Sequence, residues 1–187
     1  EVVTPMGRIA FPNVAQRGDL SKKFDVNLIF EEGTDMSELK SLARNTAKKK
    51  WPKKLPKGFQ SPFKKCSAKE ELEGFSDGWV FITPRSNYRP GVVDSKKNII
   101  DIDDLDERLY GGCYARLLLT CYAYDQAGNR GVGFGLQAIQ IIKDGEPFGN
   151  RVDAENAFDP IDDDDDDDDG DDFGWDDDDD DDEDEIF

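Results

Sequence analysis

Apolar and polar residues alternate most clearly over 110–142, and a period of two predicts a long β-hairpin there. On its first strand Cys113, Ala115, Leu117, Leu119, Cys121 and Ala123 share one face, while Tyr114, Arg116, Leu118, Thr120, Tyr122 and Tyr124 share the other. The segment DQAGN at 125–129 is rich in residues that tolerate positive φ and reads as the turn. The return strand sets Val132, Phe134 and Leu136 against Gly131, Gly133 and Gly135. With the apolar sets turned to the core, the outer face pairs tyrosines with glycines, so rings stand beside bare backbone where something flat can lie. Any one tyrosine tolerates half-burial at a sheet surface. Three on one face beside a glycine ladder favour a binding face.

Earlier in the chain, 7–11 is a strand candidate closed by Pro12 and Asn13. Over 23–30, Phe24, Val26, Leu28 and Phe30 alternate with Asp25, Asn27 and Ile29, a stronger strand pattern. Asp35, three residues before Glu38, resembles a capping box, and Met36, Leu39, Leu42, Ala43 and Ala47 give a helix an apolar stripe to about Lys50. Pro52 and Pro56 end it. Short strands are expected at 79–83, 92–93 and 98–102, and a turn or one helical turn at 103–108. The pattern predicts a mainly β fold: an OB-fold-like five-stranded barrel with one helix between early and later strands, the glycines at 131–135 permitting the coiling that closure needs. An open antiparallel sheet with a helix is the competing architecture.

Charge divides the chain in two. The 187 residues carry 24 Lys+Arg, all at or before Arg151, against 43 Asp+Glu, of which 21 fall within 159–185. The body, 1–158, is thus close to +2 and the remainder near −21, a division hidden by the overall −19. A segment so charged and so poor in apolar residues cannot offset the entropy of ordering, so 159–187 is expected to be a disordered acidic tail. It carries an aromatic island, Phe173-Gly174-Trp175, and ends on Ile186 and Phe187. The opening residues lack the basic-then-apolar pattern of a secretory leader, and no apolar run approaches the roughly 20 residues of a membrane span, so a soluble protein is expected.

Between 48 and 65 the chain reads KKKWPKKLPKGFQSPFKK. Lys48, Lys49, Lys50, Lys53 and Lys54 supply charge for phosphates, and Trp51 a plane for unpaired bases, in a Pro- and Gly-broken loop. A solvated basic loop, or a nuclear-import-like run, fits the same residues. Enzyme chemistry finds little support. The absence of histidine removes His-based triads and most zinc sites. The run at 131–135 lacks the lysine of a phosphate loop, and Asp101, Asp103, Asp104 and Asp106 lack the Gly and Glu of an EF-hand. No metal or cofactor is expected. Three cysteines without close spacing read as reduced thiols, and Cys113 and Cys121, eight apart on one strand, sit roughly 26 Å apart, too far to bridge.

NYRPGVVD at 87–94, LYGGCYARLLLTCYAYDQAGNRGVGFGLQAIQIIKDGEPFG at 109–149, and an acidic end closing on Phe187 together resemble a family of bacteriophage single-stranded DNA-binding proteins. Their plan is similar to the T-seven type, one OB-fold domain followed by an acidic tail with a terminal phenylalanine. The resemblance implies binding of ssDNA without sequence preference, support of recombination by strand annealing, and recruitment of replication proteins such as phage DNA polymerase or helicase through the tail. It implies a place of action in the cytoplasm of the infected bacterial host. It carries Arg89, Tyr114, Arg116, Tyr122 and Tyr124 to the DNA face; Trp175, Ile186 and Phe187, apolar residues of the acidic run, are read from the sequence itself as contacts for a partner. The sequence departs from the family in its heavier lysine stretch and in a long tail with Trp175 inserted.

Two readings stand at this point. One is a non-enzymatic ssDNA-binding protein whose tail competes for the DNA site, since a polyanion and a phosphate backbone seek the same basic surface. The other is an acidic interaction protein, a DNA mimic or histone-chaperone-like factor, whose tail captures basic partners.

Overall fold

A computed structural model of the chain describes residues 1–69 and 71–149. The acidic segment, the expected boundary at 158/159, and Trp175, Ile186 and Phe187 lie outside the described residues. The strands are β1 (Val2–Val3), β2 (Gly7–Asn13), β3 (Phe24–Phe30), β4 (Lys64–Lys65), β5 (Val80–Ile82), β6 (Arg85–Ser86), β7 (Gly91–Val93), β8 (Tyr114–Gln126) and β9 (Asn129–Lys143). The helices are α1 (Ser37–Lys50) and a single turn, α2 (Leu105–Arg108).

The alternation over 110–142 becomes the antiparallel pair β8–β9, which forms the longest ladder of the fold. Strand pairing runs through Gln126 and Asn129, so the turn shrinks to Ala127 and Gly128, both at positive φ (47° and 84°). Two positive φ angles in a two-residue loop match the right-handed twist of the flanking strands. The register shifts where Leu118 faces Ala138 and Leu119 faces Leu136, leaving Gln137 unpaired as a bulge. The shift changes the inward phase of β9, so Ile139 and Ile141 follow Val132, Phe134 and Leu136 into the core.

From this hairpin the pairings travel round a ring. β8 pairs with β2, β2 with β3, β3 with β5 and β6, and β6 with β9, which returns to β8. All are antiparallel except β6–β9, a parallel join made by the single pair Arg85–Gly135. A five-station ring with one parallel closure is OB-like. Because one residue pair makes the closure, the ring is partial on that side. β1 and β7 extend the sheet along β8 and β9, and β4 pairs with β5.

α1 sits between an early strand and the later ones, as the apolar stripe predicts. Met36, Leu39, Ala43 and Ala47 are buried, and the Asp35 carboxylate accepts the Ser37 N–H at 2.9 Å just ahead of the helix. The Trp51 N–H bonds to the Ala47 carbonyl at 2.8 Å, and Pro52 follows. β3 departs from its expected two-faced character, because all seven of its residues are buried. Its second face is covered by a smaller apolar cluster in which Ile29 meets Ala10, Cys66, Phe75 and Phe81. The polar residues on that strand are buried with partners: Asn13 donates to Asp25 at 2.8 Å, and the Thr83 hydroxyl donates to Asn27 at 2.6 Å. Pairing of this kind makes burial of a polar group tolerable. Cys66, Cys113 and Cys121 are free thiols.

Candidate nucleic-acid interface

The far end of the hairpin forms one wall of an open groove of about 900 Å³. Tyr122 faces Gly133 across the ladder and Tyr124 faces Gly131, so the expected pairing of rings with glycines is present. A Cβ at Gly133 would lie 2.9 Å from the Tyr122 ring, and one at Gly131 would collide with the carbonyl of Gln60 and crowd the Tyr124 hydroxyl. The two rings lie 6.4 Å apart, tilted by 51°. They differ in freedom. The Tyr124 hydroxyl donates to the Gln60 side-chain oxygen at 3.1 Å, and burial, with Tyr122 adding, raises its pKa. Tyr122 is 46% exposed and offers the free plane.

Gln60 also ties the lysine-rich loop to the hairpin. Its N–H bonds to the Arg130 carbonyl at 2.8 Å, and the Val132 N–H returns to the Gln60 carbonyl at 3.2 Å. The loop can approach so closely because position 131 has no side chain. Beyond it Phe63 packs edge-on against Phe134 at 5.7 Å.

The groove's other walls bring cations from separate elements: Lys23 ahead of β3, Lys50 at the end of α1, Lys64 on β4 and Arg85 on β6. Arg85 lies 3.9 Å from the buried carboxylate of Asp25 and also makes the ring's parallel join, which fixes its backbone. Burial, with Arg85 and Lys69 adding repulsion, lowers the pKa of Lys64 from the usual 10.5. Asp125 is the one acidic lining residue among those described, and Arg130 bridges it at 3.0 Å. The arrangement offers a stacking plane at the hairpin and positive charge across from it, the two components that hold a single strand without reading its bases.

Of the residues singled out from sequence, Tyr122, Tyr124 and Lys50 line this groove. Lys48, Trp51, Lys53 and Lys54 line a neighbouring depression, and Lys49 is exposed outside both. Tyr114 begins β8, roughly 27 Å of strand from Tyr122. There its ring lies 5.4 Å from the Arg8 guanidinium and 4.5 Å from the Lys143 ammonium. Arg116 donates to Gln140 at 2.9 Å on the outer sheet between β1 and β7. The Arg89 guanidinium donates to the carbonyls of Val14 and Ala15 at 3.2 and 2.7 Å, stapling two loops together. Lys23 and Arg85 were not singled out, and Lys64 was read only as part of the lysine-rich stretch. They come together only through β3–β6 and β4–β5 pairing, and no local spacing in the sequence announces it.

An OB-like ring crossed by a cationic, aromatic groove defines a class, the proteins that hold single-stranded nucleic acid. The family model described as "Enterobacter phage Enc34, ssDNA-binding protein" matches residues 1–181, and the chain belongs to that family. The family is one of DNA-binding proteins, not of enzymes. Among solved structures, the single-stranded DNA-binding protein from bacteriophage Enc34 is 22% identical, with a TM-score of 0.65 over 84% of this chain and 89% of that one. The same phage's protein in complex with ssDNA is 19% identical, with a TM-score of 0.66 over 79% and 88%. Gp2.5, a single-stranded DNA-binding protein encoded by bacteriophage T7, is 13% identical, with a TM-score of 0.50 over 82% and 95%. No curated protein matches the chain in sequence. The resemblance to phage ssDNA-binding proteins is therefore borne out, and the OB-like fold with it.

Proposed function

We propose that this protein coats single-stranded DNA without sequence preference during phage replication and recombination, in the cytoplasm of the infected host. The carrying observation is the groove in which Tyr122 lies over Gly133 with Lys23, Lys50, Lys64 and Arg85 opposite. A base stacks on the exposed ring, and the phosphates that flank it run along the cations. Each stacked base contributes about 1–3 kcal/mol, and the phosphate contacts contribute a salt-sensitive share. Every base has a π-face, so the stacking carries no sequence preference.

The acidic segment acts on this binding through charge. Its 21 carboxylates compete with DNA for the basic surface and, once displaced, are free to recruit replication proteins such as the phage polymerase or helicase. Trp175, Ile186 and Phe187 supply the apolar anchors for that partner, as buried aromatics commonly do. Membership of the ssDNA-binding family leaves little room for a DNA mimic that captures basic proteins.

An ssDNA titration with the full chain, with Tyr122→Ala and with residues 159–187 removed tests the reading. Tyr122→Ala should bind more weakly. Removal of 159–187 should tighten binding, most at low ionic strength, where competition is least screened. Wild-type affinity in the tyrosine variant removes the groove from the DNA site, and unchanged affinity after truncation at low salt defeats the competition.

A further inference from the structure

The loop that borders the tyrosine groove has a second depression on its other side. This depression, of about 500 Å³, lies between the C-terminal half of α1 and the loop that follows. The two share Ser61, Pro62 and Val132, so they adjoin, with Ser61 and Pro62 as a short saddle between them. Its floor is low because Ala43 and Ala47 leave the helix surface bare, and its walls are Trp51, Leu55, Phe59 and Phe63. Trp51 and Phe59 stand edge to face at 5.7 Å, which fixes the indole.

The rim has one sign. Lys40, Arg44, Lys48, Lys53 and Lys54 border the depression, and no carboxylate is among the described residues that line it. A docking surface for a folded partner usually carries a mixed polar rim. An apolar floor inside a wholly cationic rim, next to a cationic groove, suits a polymer that alternates flat apolar rings with phosphates.

We propose that the strand seated on Tyr122 crosses the Ser61–Pro62 saddle and places an unstacked base in this second pocket against Trp51, its flanking phosphates lying on Lys48, Lys53 and Lys54. The assignment rests on reading the tyrosine groove as an ssDNA site and lengthens its footprint. With no polar side chain on its floor, the pocket accepts any base. It also gives the lysine loop a fixed task, since Gln60 holds one end of that loop to β9.

The test uses the wild-type full chain with oligo-dT of about 16 nucleotides carrying 5-iodo-deoxyuridine, irradiated and mapped by mass spectrometry. Cross-links to both Tyr122 or Tyr124 and Trp51 or Phe59 are expected. Cross-links at the tyrosines alone overturn this inference and leave the groove standing. Cross-links at neither place, or at Trp51 alone, overturn the groove reading and this inference with it. In parallel, Trp51→Ala should weaken binding of the same length of oligo-dT roughly 5- to 100-fold, yet change binding of an oligo-dT of about 4 nucleotides less than twofold. Equal loss for both lengths overturns the proposal. An Asp-rich, Phe-bearing peptide that binds wild type but not Trp51→Ala, with no cross-link to Trp51, makes the pocket a protein-docking surface and overturns it too.

Discussion

Tyr122 stands opposite Gly133 in the β8–β9 ladder, and a methyl group on that glycine would lie 2.9 Å from its ring. The ring's exposed position therefore depends on an atom its neighbour lacks. Gly133→Ala should keep the fold, because the added carbon meets the far end of a movable side chain and not backbone. It should also displace the ring and lower ssDNA affinity by up to the value of one stacked base, about 1–3 kcal/mol. Fluorescence anisotropy beside a thermal melt checks both halves. Wild-type affinity in Gly133→Ala, with loss in Tyr122→Ala, shows that the ring's resting place is immaterial.

Salt dependence reports the other half of the groove. If Lys64 and Arg85 each meet a phosphate, Lys64→Gln and Arg85→Gln should each make the log–log salt slope shallower by about 0.7. The double variant should lose about twice that. A slope equal to wild type in the double variant moves the phosphate track off β4 and β6.

Lys64 also gives the complex a pH signature. Burial, then Arg85 and Lys69, lowers its pKa below 10.5 in the folded protein. A phosphate beside it raises that pKa again, so binding takes up a proton in the alkaline range. Affinity should fall as pH rises through the free protein's Lys64 pKa, and Lys64→Arg should remove this step. The same shift acts on folding with the opposite sense. Between the folded and unfolded pKa values the unfolded chain holds more protons, so this residue's contribution to stability rises with pH there.

The thiols titrate the other way. Burial raises Cys66 and Cys113 from 9.0 to about 11. Their contribution to stability is complete below pH 9.0, falls as pH climbs and is lost by about 11. Native protein at pH 8 should react slowly with iodoacetamide and take up three equivalents only once denatured. Rapid labelling of Cys66 or Cys113 in the native state contradicts their burial.

The hairpin and the helix were legible because each shows its period on a single stretch of chain. Leu117 and Leu119 alternate with Leu118 and Thr120, and Met36, Leu39, Ala43 and Ala47 fall on one helical stripe. The tyrosine–glycine pairing could be read too, since a short turn sets the register of both strands. β3 was half legible. Asp25 and Asn27 look like a solvent face until Asn13 and Thr83 supply partners from other segments. The cationic wall was legible only in part: Lys50 and Lys64 belong to the lysine-rich stretch, but Lys23 and Arg85 sit in other segments that join them only through long-range pairing. Arg89 shows the converse, an arginine in a polar, aromatic loop whose guanidinium is engaged with the carbonyls of Val14 and Ala15.

The ring closes at one residue pair, and one member of that pair is Arg85, whose side chain faces the groove. On the proposed reading the seam of the ring lies in the ssDNA groove, and a strand laid across it would be a strap over the seam. Thermodynamic linkage makes this reciprocal, so whatever binds only the closed ring must also hold it closed. Amide exchange at Arg85 and Gly135 should therefore slow when ssDNA is bound, so the strand would fasten the very joint that the fold itself closes with one residue pair.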